Sequence, residues 1–135
     1  MKTTTNIRLV LCHDHVVLRT GLERLFDAAE GIEVVATAGE GDEGVDAARR
    51  LHPDVVLMDL AMPRIDTVGA TRAIAALTPP SRVLVLTGFP EAGRIRAVLE
   101  AGASGYVLKD ATPPELLSAV RTVAGRASGG DGPAA

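Results

Sequence analysis

Aromatic side chains are almost absent from this chain of 135 residues. There is no Trp, and Tyr106, Phe26 and Phe89 make up the whole 2%. So few rings exclude a stacking platform for bases or flat cofactors. The core has to be built from Val, Leu, Ile and Ala. The single cysteine, Cys12, excludes an intramolecular disulfide and reads as a small buried hydrophobe. A formal net charge of -3 leaves no basic excess for neutralising nucleic-acid phosphates. No apolar run approaches the roughly 20 residues needed to span a bilayer. Residues Met1 to Arg8 lack the apolar stretch of a signal peptide, so a cytoplasmic location is expected, with no membrane partner.

What is present is ordinary globular composition, with 47% hydrophobic and 23% charged residues. The length suits one domain and is too short for two. Short apolar runs at 7–12, 32–37, 55–58, 83–86 and 105–108 read as strands. The third and fourth, rich in Val and Leu, suit strands covered on both faces. Between them lie helical stripes: Leu18, Leu22, Leu25 and Phe26; Val45, Ala48 and Leu51; Ala70, Ile74 and Leu77; Ile95, Val98 and Leu99, stopped by Gly102. The last stripe is Leu116, Leu117, Val120 and Val123. Thr112 is its expected N-cap, Pro113 its first position and Glu115 the far side of a capping box. Five strands alternating with five helices predict a doubly wound α/β domain with a parallel sheet over residues 1–125. Residues 126–135, rich in Gly, Ser and Pro, read as a flexible linker or tail.

In such a sheet the chemistry gathers beyond the carboxyl ends of the strands. His13, Asp14 and His15 follow the first strand, Asp59 the third, Thr87 the fourth, and Lys109 with Asp110 the fifth. Two carboxylates converging in a small crevice repel each other. A divalent cation relieves that, and Mg²⁺ is commonly held by one or two carboxylates together with water and phosphate oxygens. In-line phosphoryl transfer to Asp59 would need a cation, which Lys109 can supply, and a hydroxyl donor, which Thr87 can supply.

The stretches Val55-Val-Leu-Met-Asp-Leu-Ala-Met-Pro63, Val83-Leu-Val-Leu-Thr87 and Ala101-Gly-Ala-Ser-Gly-Tyr-Val-Leu-Lys-Asp110 resemble the receiver domains of bacterial two-component response regulators. The closest kind is that of regulators with a LuxR-type (NarL/FixJ-like) helix-turn-helix, and the resemblance covers roughly residues 6 to 124. It implies a flavodoxin-like (βα)5 fold with sheet order 2-1-3-4-5. It implies that Asp59 is the phosphoacceptor, and that Asp14, Asp59 and the backbone carbonyl of Ala61 bind Mg²⁺. Lys109 resembles the residue that pairs with the phosphoryl group. Thr87 and Tyr106 resemble the switch pair that remodels the face of the fourth helix, fifth strand and fifth helix. The implied partners are a sensor histidine kinase, a second copy of the chain through the first or fifth helix, and DNA only through a helix-turn-helix domain outside these residues. A switch of this kind is not an enzyme in its own right.

Three positions depart from the pattern. The first member of the acidic pair is His13, which as a loop residue is expected to be solvated and to weaken Mg²⁺ binding. Arg64 and Thr67 stand where Gly is common. His13 and Arg64 motivate an alternative, a receiver-like interaction module that does not depend on phosphate. A nucleotide- or flavin-binding domain fits less well, because His13-Asp14-His15 is no Gly-rich phosphate cradle. An aspartyl-nucleophile phosphatase would need a second Asp where Ala61 stands.

Overall fold

The computed structural model describes residues 6–61, 66–88 and 92–127. The elements are β1 (Ile7–Cys12), α1 (Val16–Asp27), β2 (Ile32–Ala38), α2 (Gly41–Leu51), β3 (Val55–Asp59), α3 (Thr67–Ala75), β4 (Arg82–Thr87), α4 (Ala92–Glu100), β5 (Gly105–Leu108) and α5 (Pro113–Ala127). The five strands form one parallel sheet in the order β2-β1-β3-β4-β5, the flavodoxin-like arrangement expected.

Alternation along each strand divides the core in two. Val10, Cys12, Val56, Met58, Val83 and Val85 face one side, under Ala47 and Ala48 of α2, Ile74 of α3 and Val98 of α4. Leu9, Leu11, Leu57, Leu84 and Leu86 face the other, under Phe26 of α1 and Leu116, Val120 and Val123 of α5. Helix α2 approaches β1 closely at Gly44, where a Cβ would collide with the Cys12 sulfur. The buried thiol is pushed up to about 12, chiefly by desolvation, and is chemically inert. Its role as a small core hydrophobe stands.

The first helix departs from its stripe. Phe26 is fully buried, whereas Leu18 is exposed together with Val16 and Val17. The first turn of α1 starts at the carboxyl edge of the sheet, where the apolar strand faces end. Leu77 lies beyond α3 and packs against the core from the following turn. Gly102, with φ of 118°, follows α4 in the left-handed region, as a helix stop requires.

The capping box on α5 forms. The Thr112 backbone N–H donates to Glu115 Oε1 at 2.8 Å, and the Glu115 N–H donates to Thr112 Oγ1 at 3.3 Å. Thr112→Ala should therefore cost about 1 kcal/mol of stability. Urea denaturation would read this as a lower midpoint at unchanged slope, and an unmoved midpoint would show that the cap contributes nothing.

Candidate functional site

Strand register delivers the functional groups to one edge. Cys12 pairs with Met58, so His13 continues beside Asp59. Thr87 pairs with Leu108, and the Lys109 N–H donates to the Thr87 carbonyl at 2.8 Å. The edge lies where the strand order reverses between β1 and β3, the position at which doubly wound sheets place their ligands.

Asp59 is 2% exposed at the end of β3. The Lys109 ammonium lies 3.1 Å from Oδ1 and 3.2 Å from Oδ2. The Ala61 N–H also donates to Oδ1, at 3.0 Å. Thr87 is buried beside this group at the end of β4. The Asp14 carboxylate is partly exposed at the mouth, 3.9 Å from His13 Nδ1. It does not cap α1, whose N-cap position is His15. Tyr106 sits on β5, half-exposed, and is not among the groups that meet at Asp59.

His13 corrects the expectation of a solvated loop residue. It is 3% exposed, and its Nε2 lies 3.1 Å from Asp59 Oδ2 without the alignment of a hydrogen bond. The His15 N–H donates to Nδ1 at 3.1 Å. Desolvation lowers the imidazole's pKa, against an opposing pull from Asp59. An uncharged ring can be buried where an unpaired imidazolium could not.

One ligand atom each from His13, Asp14 and Asp59 fall within 4.8 Å of one another. The oxygen donors of this set, two carboxylates beside the Ala61 backbone, suit a hard cation such as Mg²⁺. The imidazole does not add to them as placed. A ligating histidine donates its second ring N–H outward, whereas Nδ1 here accepts one.

The response regulator receiver domain family matches residues 9–121. The chain belongs to this family. It is 40% identical over 117 residues to the transcriptional regulatory protein LnrK of Bacillus subtilis, covering 87% of this chain and 53% of that protein. It is 41% identical over 118 residues to the oxygen regulatory protein NreC of Staphylococcus aureus, covering 87% and 54%. The chain thus spans about half the length of the curated relatives it matches. Among solved structures, the signal receiver domain of the response regulator NarL from Mycobacterium tuberculosis superposes with a TM-score of 0.84 at 31% identity, covering 89% of this chain and 97% of that one. A LuxR-family response regulator from Aurantimonas sp. gives 0.82 at 35% identity, covering 89% and 86%. This is a receiver domain of the kind found in LuxR-family regulators.

The receiver domain holds its site with two arginines that sequence reasoning passed over. Arg94 of α4 donates to the Leu60 carbonyl at 2.8 Å, tying α4 to the segment after Asp59. Arg19 of α1 donates to the His13 carbonyl at 2.9 Å. An arginine on a helix ordinarily reads as a solvated side chain, and only the tertiary structure supplies these acceptors. Of the two departures after β3, Thr67 is buried and its hydroxyl donates to the Leu60 carbonyl at 3.4 Å. Met62, Pro63 and Arg64 lie outside the described residues. Among the described residues no helix is long and apolar enough to cross a membrane.

Proposed function

We propose that this receiver domain accepts a phosphoryl group on Asp59 in a Mg²⁺-dependent reaction and thereby acts as a conformational switch. The observation that carries the reading is a buried carboxylate at the topological switch point with an ammonium 3.1 Å away. Burial makes the Lys109 charge effective, because little water competes for it. Lys109 would balance charge on the phosphoryl oxygens, and the buried Thr87 would offer them a hydroxyl. Asp14, Asp59 and the Ala61 carbonyl would hold Mg²⁺, which when bound supplies charge neutralisation at the same oxygens. The bond from phosphorus to the donor's leaving atom breaks as one forms to an Asp59 carboxylate oxygen: with acetyl phosphate that atom is oxygen and acetate leaves, and with a phosphohistidine it is nitrogen and the imidazole leaves, taking up a proton. The natural donor would be a sensor histidine kinase.

The output would run through Thr87 and Tyr106 to α4, β5 and α5, with Arg94 linking α4 to the segment after Asp59. Transcriptional control would follow through a helix-turn-helix domain in a longer protein. Homodimerisation through α1 or α5 is the accompanying expectation. The domain would be a switch rather than an enzyme, and the linker expected over residues 126–135 would begin only past the end of α5 at Ala127.

Incubation with acetyl phosphate and Mg²⁺, followed by intact mass measurement, tests the reading. One phosphoryl adduct is expected in the wild type and none in Asp59→Ala. A wild type that stays unmodified at high Mg²⁺ would favour the phosphate-independent interaction module, for which the neutral His13 in an acidic position is the motive.

A further inference from the structure

We propose that His13 is a phosphoryl-binding residue: a neutral imidazole held as the Nε2–H tautomer, whose N–H serves an oxygen of the phosphoryl group on Asp59. The inference rests on the phosphoacceptor reading above.

The backbone at His13 is fixed from two sides. Its N–H donates to the Ala38 carbonyl at 2.9 Å, and its carbonyl accepts from Arg19 at 2.9 Å. The ring is then oriented by the His15 N–H, which donates to Nδ1 at 3.1 Å. A nitrogen that accepts a hydrogen bond carries no proton, so the single proton of a neutral ring sits on Nε2. The N–H therefore enters the pocket 3.1 Å from Asp59 Oδ2, yet makes no hydrogen bond among the described residues. A buried donor without an acceptor is costly and is rarely left so.

Two occupants could satisfy the position. A metal ion would need the Nε2 lone pair and a proton moved to Nδ1, where it would face the His15 N–H. That geometry disfavours His13 as a ligand. An anion needs only the N–H as it stands. A carboxylate at this place would repel the oxygens of a phosphoryl group, whereas an imidazole N–H attracts them, as Lys109 does from the other side. The substitution of a histidine for an acid thus exchanges a metal-favouring group for an anion-favouring one.

Beryllofluoride, whose fluorines stand for phosphoryl oxygens, provides the test. Its binding to the wild type, His13→Gln and His13→Asn at saturating Mg²⁺ would be followed by ¹⁹F NMR. The Gln amide reaches the place of Nε2, and the Asn amide only that of Nδ1. Binding should be retained in His13→Gln and weakened about tenfold in His13→Asn, the loss expected for one hydrogen bond to a charged group. Equal affinities in both variants and the wild type would overturn the role of His13 alone. Absence of both beryllofluoride binding and a phosphoryl adduct in the wild type would overturn the phosphoacceptor reading itself. Long-range ¹⁵N–¹H NMR of the unmutated protein needs no variant to fold. A proton on Nε2 whose resonance moves on adding beryllofluoride is expected, and a proton on Nδ1 instead would overturn the proposal.

Discussion

Lys109→Met is expected to slow phosphoryl uptake from acetyl phosphate by about 10²- to 10³-fold, the usual loss when one preorganised charged donor is removed from a transition state. The methionine keeps the length and apolar stem of lysine, so the substitution removes charge with little change in packing. The effect should be large because the charge is well placed. The ammonium lies within 3.2 Å of both carboxylate oxygens, and Asp59 itself is withdrawn from water. Lys109 is held there by more than attraction, since its backbone N–H continues the ladder from β4. Gly88 leaves the stem room, as even a Cβ there would stand 3.8 Å from Lys109 Cδ. Time-resolved intact mass measurement at saturating Mg²⁺ reads the rate, with circular dichroism as the check on folding. An unchanged rate would remove Lys109 from the phosphoryl site.

The strand ends were legible in the sequence because polar chemistry begins where apolar runs stop. β1 and β5 occupy the residues their runs marked. β3 and β4 extend further, through Asp59, Arg82 and Thr87, because the backbone of a polar residue still pairs: Asp59 with Leu86, Arg82 with Val55 and Thr87 with Leu108. Hydropathy sees side chains and not the ladder. The capping box at Thr112 and Glu115 was legible because all its partners lie within four residues. The start of α3 was not, although Asp66 Oδ1 accepts from the Gly69 N–H in a local cap at 2.9 Å, because no apolar stripe marks the position.

Residues whose roles depend on distant partners were harder to read. Arg94 reaches a carbonyl 34 positions away, and no local pattern announces that. Arg8 is similar: its guanidinium donates to the Leu51 and His52 carbonyls at the end of α2, where His52 adopts φ of 49°. The end of α2 is thus completed by a side chain from β1. His13 is the most consequential case. A polar residue after a strand usually faces water, and only the meeting of β1 with β3 reveals that this one faces Asp59.

That meeting has a measurable consequence for the cation. His13→Asp is expected to tighten Mg²⁺ binding by about 10- to 100-fold, the range through which groups flanking a metal's ligands change its affinity. The sign follows from the pocket's charge. The native imidazole adds no carboxylate to the pocket and sets its Nε2 3.1 Å from Asp59 Oδ2, an oxygen that a cation would have to share. An aspartate instead adds a third carboxylate to Asp14 and Asp59. Without a cation the three repel one another, so the metal-free variant should be less stable than the wild type while gaining more stability from Mg²⁺. Isothermal titration calorimetry gives the affinity, and thermal melts with and without Mg²⁺ give the linked stability. Matching affinities would mean that Asp14 and Asp59 dominate the metal's energetics and that the imidazole at position 13 neither hinders nor helps it. The same measurement on His13→Gln separates charge from donor. An affinity near that of the wild type assigns the whole gain in His13→Asp to the added carboxylate.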